Sequence, residues 1–398
     1  MDNPHDIEQI AAIKEELQTN GPASAAAKIQ DYLDKQDNVQ LNIAITGESG
    51  SGKSTFVNAF RGIPNRDKER AAPSGVKETT TDPTPYPHPN YPKVTLWDLP
   101  GIGTIRFPAD EYLKKVGFDR YDFFIIISAD RFRENDVKLA KEIQKMGKKF
   151  YFVRSKIDNN IRDEKKTRGS EFNDEEILKE IREDCIQGLE GHVESPRVFL
   201  VSSFELHLYD FRLLEKTFAE ELPANKRKVL LLALPNVSLE IIRKKKGALQ
   251  ANIKYLAAGS ALGALAPVPG LSVAVDMAMM VKTTSKYQAT FGLDSESLQS
   301  LAQTVGMPVE ELRAVMTSPL AAQEISTEVI IKVLSSSLIF ISLMAVEEGS
   351  RWLPLIGFPA AMAASAACTY KSLSMFLDML AEDAQKVFEK ALGLNTSV

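Results

Sequence analysis

The sequence is short of the residues that build disulfide frameworks and metal centres. Its 398 residues include two cysteines, Cys185 and Cys368, far apart and each in an apolar helical context. That excludes a disulfide-stapled fold and suits a reducing compartment. The four histidines (His5, His88, His192 and His207) show no metal-ligand spacing. Charge of one sign is lacking too. The 48 Lys+Arg against 53 Asp+Glu leave a net charge of −5, which argues against a nucleic-acid partner. The one basic run, Arg243-Lys244-Lys245-Lys246, reads as a solvated helix face. The start "MDNPHD" has neither the basic residues nor the apolar run of a secretory signal. Asp2 offers no glycine for N-myristoylation, and "NTSV" is no prenylation signal. The expected location is cytoplasmic and not secreted, with peripheral contact to intracellular membranes left open.

Clean membrane-spanning runs are also lacking. Tyr255 to Val275 carries no charge over 21 residues but holds Pro267, Pro269 and three glycines. Val329 to Tyr370 is interrupted by Lys332, Glu347, Glu348 and Arg351. A spanning helix needs about 20 apolar residues. Buried helical core, shallow insertion at a membrane surface and a true span all remain open for these stretches.

What is present is an ordinary globular balance, 44% hydrophobic and 25% charged, in a chain long enough for two or three domains. Residues 6 to 36 keep a helical period, broken near "TNGP". From 38 to 222, five short apolar runs alternate with helical stretches near 53–61, 134–147, 174–188 and 210–222. The runs are "VQLNIAITG", "KVTLWDLPG", "YDFFIIISA", "KKFYFVRSK" and "RVFLVSS". This predicts an α/β layer with a mainly parallel sheet. From 223 to 398 the strand signal disappears and helices follow one another, capped by Ser238, Asp294 and Ser295 and ended by Gly292 and Gly306. The expected domains are N-terminal helices 1–37, an α/β domain 38–222 and a C-terminal helical domain 223–398.

The stretch "GESGSGKST" fits G-x-x-x-x-G-K-[ST] between a strand and a helix, as a phosphate-binding loop requires. Its glycines let backbone N–H groups wrap phosphates at a helix N-terminus. Gly47, Gly50, Ser51, Gly52, Lys53, Ser54 and Thr55 are the expected phosphate contacts. Lys53 would reach the β and γ phosphates, and Ser54 would place its hydroxyl on Mg²⁺.

The nucleotide follows from what lies downstream. In "WDLPG", Asp98 is placed to hold Mg²⁺ and the Gly101 N–H to sense a γ-phosphate. In "RSKID", Asp158 can accept from the N1–H and 2-amino group of guanine, a donor pair that adenine lacks, while the Lys156 stem lies on the base. In "VSS", Ser202 and Ser203 can support Asp158 and the guanine carbonyl. All fall at the C-terminal ends of strands, where open α/β sheets bind ligands. GTP or GDP with Mg²⁺ is therefore expected.

Residues 74 to 92 occupy the place of a switch loop. Thr79, Thr80 and Thr81 are adjacent candidates for an Mg²⁺ hydroxyl. The proline-rich tail reads as a stiff connection before an edge strand or as an SH3-type ligand. Small signalling GTPases carry a water-orienting Gln directly after D-x-x-G. Here that position is Ile102, so Glu48 in the loop and Glu78 in the switch become the nearby charged candidates.

The stretches "GESGSGKSTFVNAFRGI", "WDLPGIGT", "FPADEYL", "YDFFIIISADRF", "FYFVRSKID" and "LYDF" resemble the immunity-related (interferon-inducible) GTPases over nearly the whole chain. The resemblance implies a G domain beside a helical domain built from both chain ends. It implies slow GTP hydrolysis, self-association across the nucleotide faces in the GTP state, and action at pathogen vacuole membranes. Lys53 matches the effector members that carry Lys in the cradle. By motif position, the activating glutamates fall on Glu48 and Glu78 and the Mg²⁺ threonine on Thr80, which with Lys53 form the expected catalytic set. Two other readings are a monomeric switch activated by a separate GAP, with the helical half binding effectors, and a nucleotide-binding regulator that does not hydrolyse.

Overall fold

The computed structural model describes residues 4–75, 80–101, 109–129, 134–263, 271–320, 324–336 and 360–393. It divides into two compact units. One is Val39–Ser238, and the other joins Met1–Asn38 to Leu239–Val398.

The first unit is built on a six-stranded sheet of order β2-β3-β1-β4-β5-β6. Its strands are β1 (Leu41–Thr46), β2 (Thr84–Pro87), β3 (Val94–Asp98), β4 (Phe123–Ser128), β5 (Lys149–Arg154) and β6 (Val198–Leu200). All neighbours pair in parallel except β2, which runs antiparallel to β3. Successive side chains on a strand point to opposite faces. Ile43 and Ile45 accordingly enter one core, with Phe123, Ile125 and Ile127, while Ala44 enters the other, with Phe124 and Ile126. Both faces are covered, which is why the central strands read as nearly unbroken apolar runs.

The helices here are α3 (Lys53–Phe60), α4 (Ala109–Val116), α5 (Glu134–Lys145), α6 (Ile157–Arg168), α7 (Asp174–Leu189), α8 (Phe211–Glu221) and α9 (Ala224–Ala233). The sequence reading lacks α4, α6 and β2. Helix α6 is polar on most sides and buries only Ile157, so it has little apolar periodicity to reveal it. Strand β2 is "TPYP", and proline confines it to the sheet edge. Helix α9 belongs to this unit, because Val229, Leu230 and Ala233 join the core beneath the sheet. The division thus falls after Ser238, beyond the boundary at 222 where the strand signal stops. A helix's composition does not say which core it packs on.

The second unit contains α1 (Pro4–Asn20), α2 (Pro22–Asp37), α10 (Leu239–Gly263), α11 (Leu271–Thr290), α12 (Ser295–Val305), α13 (Val309–Ala314), a helical run over 327–336 (α14) and α15 (Ala360–Ala391). Ile13, Ala25 and Ile29 pack with Tyr255, Ala258 and Ala366, so both ends of the chain share one core. Asp294 caps α12 by accepting from the Ser297 N–H at 2.9 Å, and Gly306 ends it at φ 70°. In the described parts of the two apolar stretches, Tyr255, Ala258, Ala261 and Ala367 lie in this core, and Ile330 and Val333 are buried as well. Among the described residues, no helix is long and apolar enough to cross a membrane.

The basic run differs from its expected solvated face. Lys244 pairs with Glu240 and Lys246 with Asp378, but Lys245 is 2% exposed and donates to the Thr290 carbonyl at 2.9 Å. Burial pushes its pKa down from 10.5 to about 7. Between those values the unfolded chain binds the proton more tightly, so this residue makes stability rise with pH. Below about pH 7 both states are protonated and the burial cost is fully present. Melting temperatures should therefore show wild type gaining on Lys245→Met as pH rises from about 7 toward 10.5. A pH-independent difference between the two would refute this.

Candidate functional site: a guanine-nucleotide cradle

Strand β1 ends at Thr46 and α3 begins at Lys53, so residues 47–52 form the turn that faces the site. Gly47 sits at φ 136°, and a Cβ there would lie 2.1 Å from the Ile127 carbonyl oxygen of β4. Only glycine lets the loop pass this close to the sheet. Gly50 and Gly52 have φ 79° and 97°, the left-handed region that turns the backbone around an anion. Lys53 is buried, and its ammonium donates to the carbonyls of Gly47 (3.2 Å) and Glu48 (2.9 Å). Thr55 follows Ser54 in the first turn of α3 and is half-buried.

Three expected metal ligands converge. Ser54 Oγ donates to Asp98 Oδ2 at 2.5 Å, and Thr80 Oγ1 donates to the same oxygen at 3.1 Å. Asp98 is fully buried, and its other oxygen, Oδ1, has no hydrogen-bond partner. Burial raises the Asp98 pKa, opposed first by the Ser54 hydroxyl and then by the Lys53 charge. Among the described residues, no cluster of three His, Cys, Asp or Glu could hold a metal alone. One carboxylate and two hydroxyls beside a phosphate site form an all-oxygen set that fits Mg²⁺, which takes few protein ligands and completes its shell with phosphates and water. Of the other threonines, Thr81 donates to Asp82 at 3.2 Å, and Thr79 lies outside the described residues, as do Glu78 and Ile102.

The base side is built from β5 and β6. Lys156 takes a left-handed conformation (φ 58°) at the head of α6 and reaches back to the Gly50 carbonyl at 2.8 Å. Asp158 stands in the first turn of α6 with Oδ1 buried and unpartnered, an acceptor suited to guanine's paired donors. Ser202 Oγ is fully enclosed and accepts from the N–H groups of Phe204 and Glu205, both at 3.2 Å, so it shapes the loop that Ser203 also occupies. Asp210 holds that loop from behind. It accepts from the Leu200 N–H at 2.8 Å and from Arg182 at 2.6 Å.

Two contributors are missing from the sequence reading. Ser155 Oγ donates to the Ser51 carbonyl at 2.6 Å, tying the base loop to the cradle, while Ser51 Oγ is buried without a partner. Asn135, at the start of α5, donates to Glu48 Oε1 at 3.1 Å, so the Glu48 carboxylate is engaged and only half exposed. A short polar residue at a strand end or a helix start signals nothing by itself. These contacts need the fold.

The sequence profile described as Interferon-inducible GTPase (IIGP) matches residues 6–391. This chain belongs to the interferon-inducible GTPase family. It is 42% identical to Interferon-inducible GTPase 5 of Bos taurus over 97% of this chain and 82% of that one. It is 42% identical to Interferon-gamma-inducible GTPase 10 of Mus musculus over 98% and 91%. Interferon-inducible GTPase 1 of Mus musculus matches at 41% over 73% of this chain and 70% of that one. The protein binds guanine nucleotide and is a GTPase, converting GTP and water to GDP and phosphate. For this interferon-inducible GTPase, two substitutions test the site assignments. Lys53→Ala should weaken GTP binding by about tenfold to hundredfold, as expected for lost charge-assisted bonds. Unchanged binding in titrations would refute the Lys53 role. Asp158→Asn should shift preference from guanosine toward xanthosine nucleotides, because the amide donates where a xanthine carbonyl accepts. Competition binding that still favours guanosine would sink the Asp158 role.

Proposed function

We infer that this GTPase hydrolyses GTP slowly as a single copy and is activated by a second copy that meets it across the nucleotide face in the GTP state. The observation that carries the reading is Ile102 in the place of a water-orienting Gln, directly after Gly101. An isoleucine cannot orient water, so the attacking water needs another group. Lys53 and the cradle N–H groups hold the phosphates, and Ser54, Thr80 and Asp98 would hold Mg²⁺. When bound, that ion neutralises charge on the β and γ oxygens.

Glu48 and Glu78 are the proposed activating carboxylates. Glu48 stands in the phosphate loop itself, and its bond from Asn135 sets where its carboxylate lies. In an assembled pair, this edge of the loop faces the second copy and the carboxylate becomes part of the shared site. The kinship with interferon-inducible relatives supports a place in interferon-driven defence, and we assign the action to the membranes of pathogen vacuoles. The expected contact with a membrane surface is peripheral. Among the described residues, no helix is long and apolar enough to span that membrane.

The test is specific GTPase activity against protein concentration, followed by sedimentation with liposomes under GDP and a non-hydrolysable GTP analogue. Activity per molecule should rise with concentration, and Glu48→Ala should flatten that rise while nucleotide binding is kept. A profile flat in the wild type, with stimulation by lysate instead, would favour a monomeric switch served by a separate GAP protein.

A further inference from the structure

Tyr112 carries a hydroxyl that the site described above does not use. It lies on α4, the first described helix after the D-x-x-G motif, and its side chain is fully buried. Its hydroxyl donates to the Pro100 carbonyl at 2.8 Å and lies 2.9 Å from Thr46 Oγ1. A phenol has one proton. With that proton given to Pro100, the Thr46 hydroxyl is the donor in the second bond. The directed chain Thr46 to Tyr112 to Pro100 therefore joins the residue before Gly47 to the residue before Gly101. Burial raises the phenol's pKa, so the hydroxyl remains a donor.

The peptide plane turns this bond into an aiming device. The Pro100 carbonyl and the Gly101 N–H belong to one rigid peptide unit and point in opposite directions. Holding the carbonyl fixes where the N–H points. On its other side Gly101 passes close to the cradle, since a Cβ there would lie 2.9 Å from the Ser49 backbone. Gly101 is thus set between the cradle and the carbonyl that Tyr112 holds.

We propose that Tyr112 is a positioning residue that aims the Gly101 N–H at the γ-phosphate position and thereby raises affinity for triphosphate relative to diphosphate. The proposal rests on the reading of Gly101 as a γ-phosphate contact. A diphosphate does not reach that N–H, so the hydroxyl acts on one ligand and not on the other.

The experiment is fluorescence titration of the full chain with GDP and with the β,γ-imido analogue of GTP. Tyr112→Phe keeps the ring and removes the bond. Its affinity for the analogue should fall about fivefold, the scale of one hydrogen bond, with GDP affinity unchanged. Thr46→Val should shift the ratio the same way by less, and Thr46→Ser should restore it. An unchanged ratio in Tyr112→Phe overturns the proposal, whether both affinities hold or both fall together, the latter meaning that the hydroxyl only supports the fold. Gly101→Ala separates the two ideas. If it leaves the ratio at the wild-type value, the γ-phosphate reading of Gly101 fails and takes the proposal with it. If it lowers the ratio while Tyr112→Phe does not, only the role of the hydroxyl is refuted.

Discussion

The parallel pairing of β1 with β3 on one side and β4 on the other is the constraint on which the site depends. Parallel strands all end on the same edge, so the loops after β1, β3, β5 and β6 open toward one place without any further device. The register brings Ile45 opposite Asp98, which sets the carboxylate beside the first turn of α3. It also lays Gly47 against the Ile127 carbonyl, where a larger residue has no room. Both faces of the sheet are buried in separate apolar cores, which fix its strands and hence the edge. The chemistry is borne by loops, but their positions are inherited from the ladder.

The loops are then bound to each other by a few polar contacts. Ser155 joins the base loop to Ser51, and Lys156 joins it to Gly50. Thr80 brings the switch to Asp98, and Asn135 takes hold of Glu48. Each such bond is worth only about 1 kcal/mol net. Their effect lies in direction rather than in strength. They decide where N–H groups and carboxylates point, while the apolar cores supply the stability. Asp98 and Asp158 each keep one buried oxygen without a protein partner, a cost that a bound cation and a guanine base would relieve.

Much of this was legible in the sequence, for identifiable reasons. The central parallel strands announce themselves because burial on both faces leaves nearly unbroken apolar runs. The motif residues announce themselves because phosphate and guanine chemistry demand particular groups at fixed spacing. The break at Gly21, the caps at Asp294 and Gly306 and the helical second half are local signals and were readable as such. What the sequence hid is non-local. Helix α9 is helical by any pattern, yet its allegiance to the sheet depends on packing through Leu230 and Ala233. Lys245 looks like its neighbours in a basic run until α11 closes over it. Ser155, Asn135 and Tyr112 are ordinary residue types whose partners lie far along the chain.

The edge strand β2 bears on how copies of this chain can meet. Two of its four residues, Pro85 and Pro87, have no N–H to offer. A sheet grows when another strand finds a continuous row of donors and acceptors at its border. Here that row is broken twice within one short strand. Joining through a continuous sheet across β2 is thereby closed to these molecules. At this border, contact is left to side chains and loops, and not to a backbone seam that would stay shut once formed.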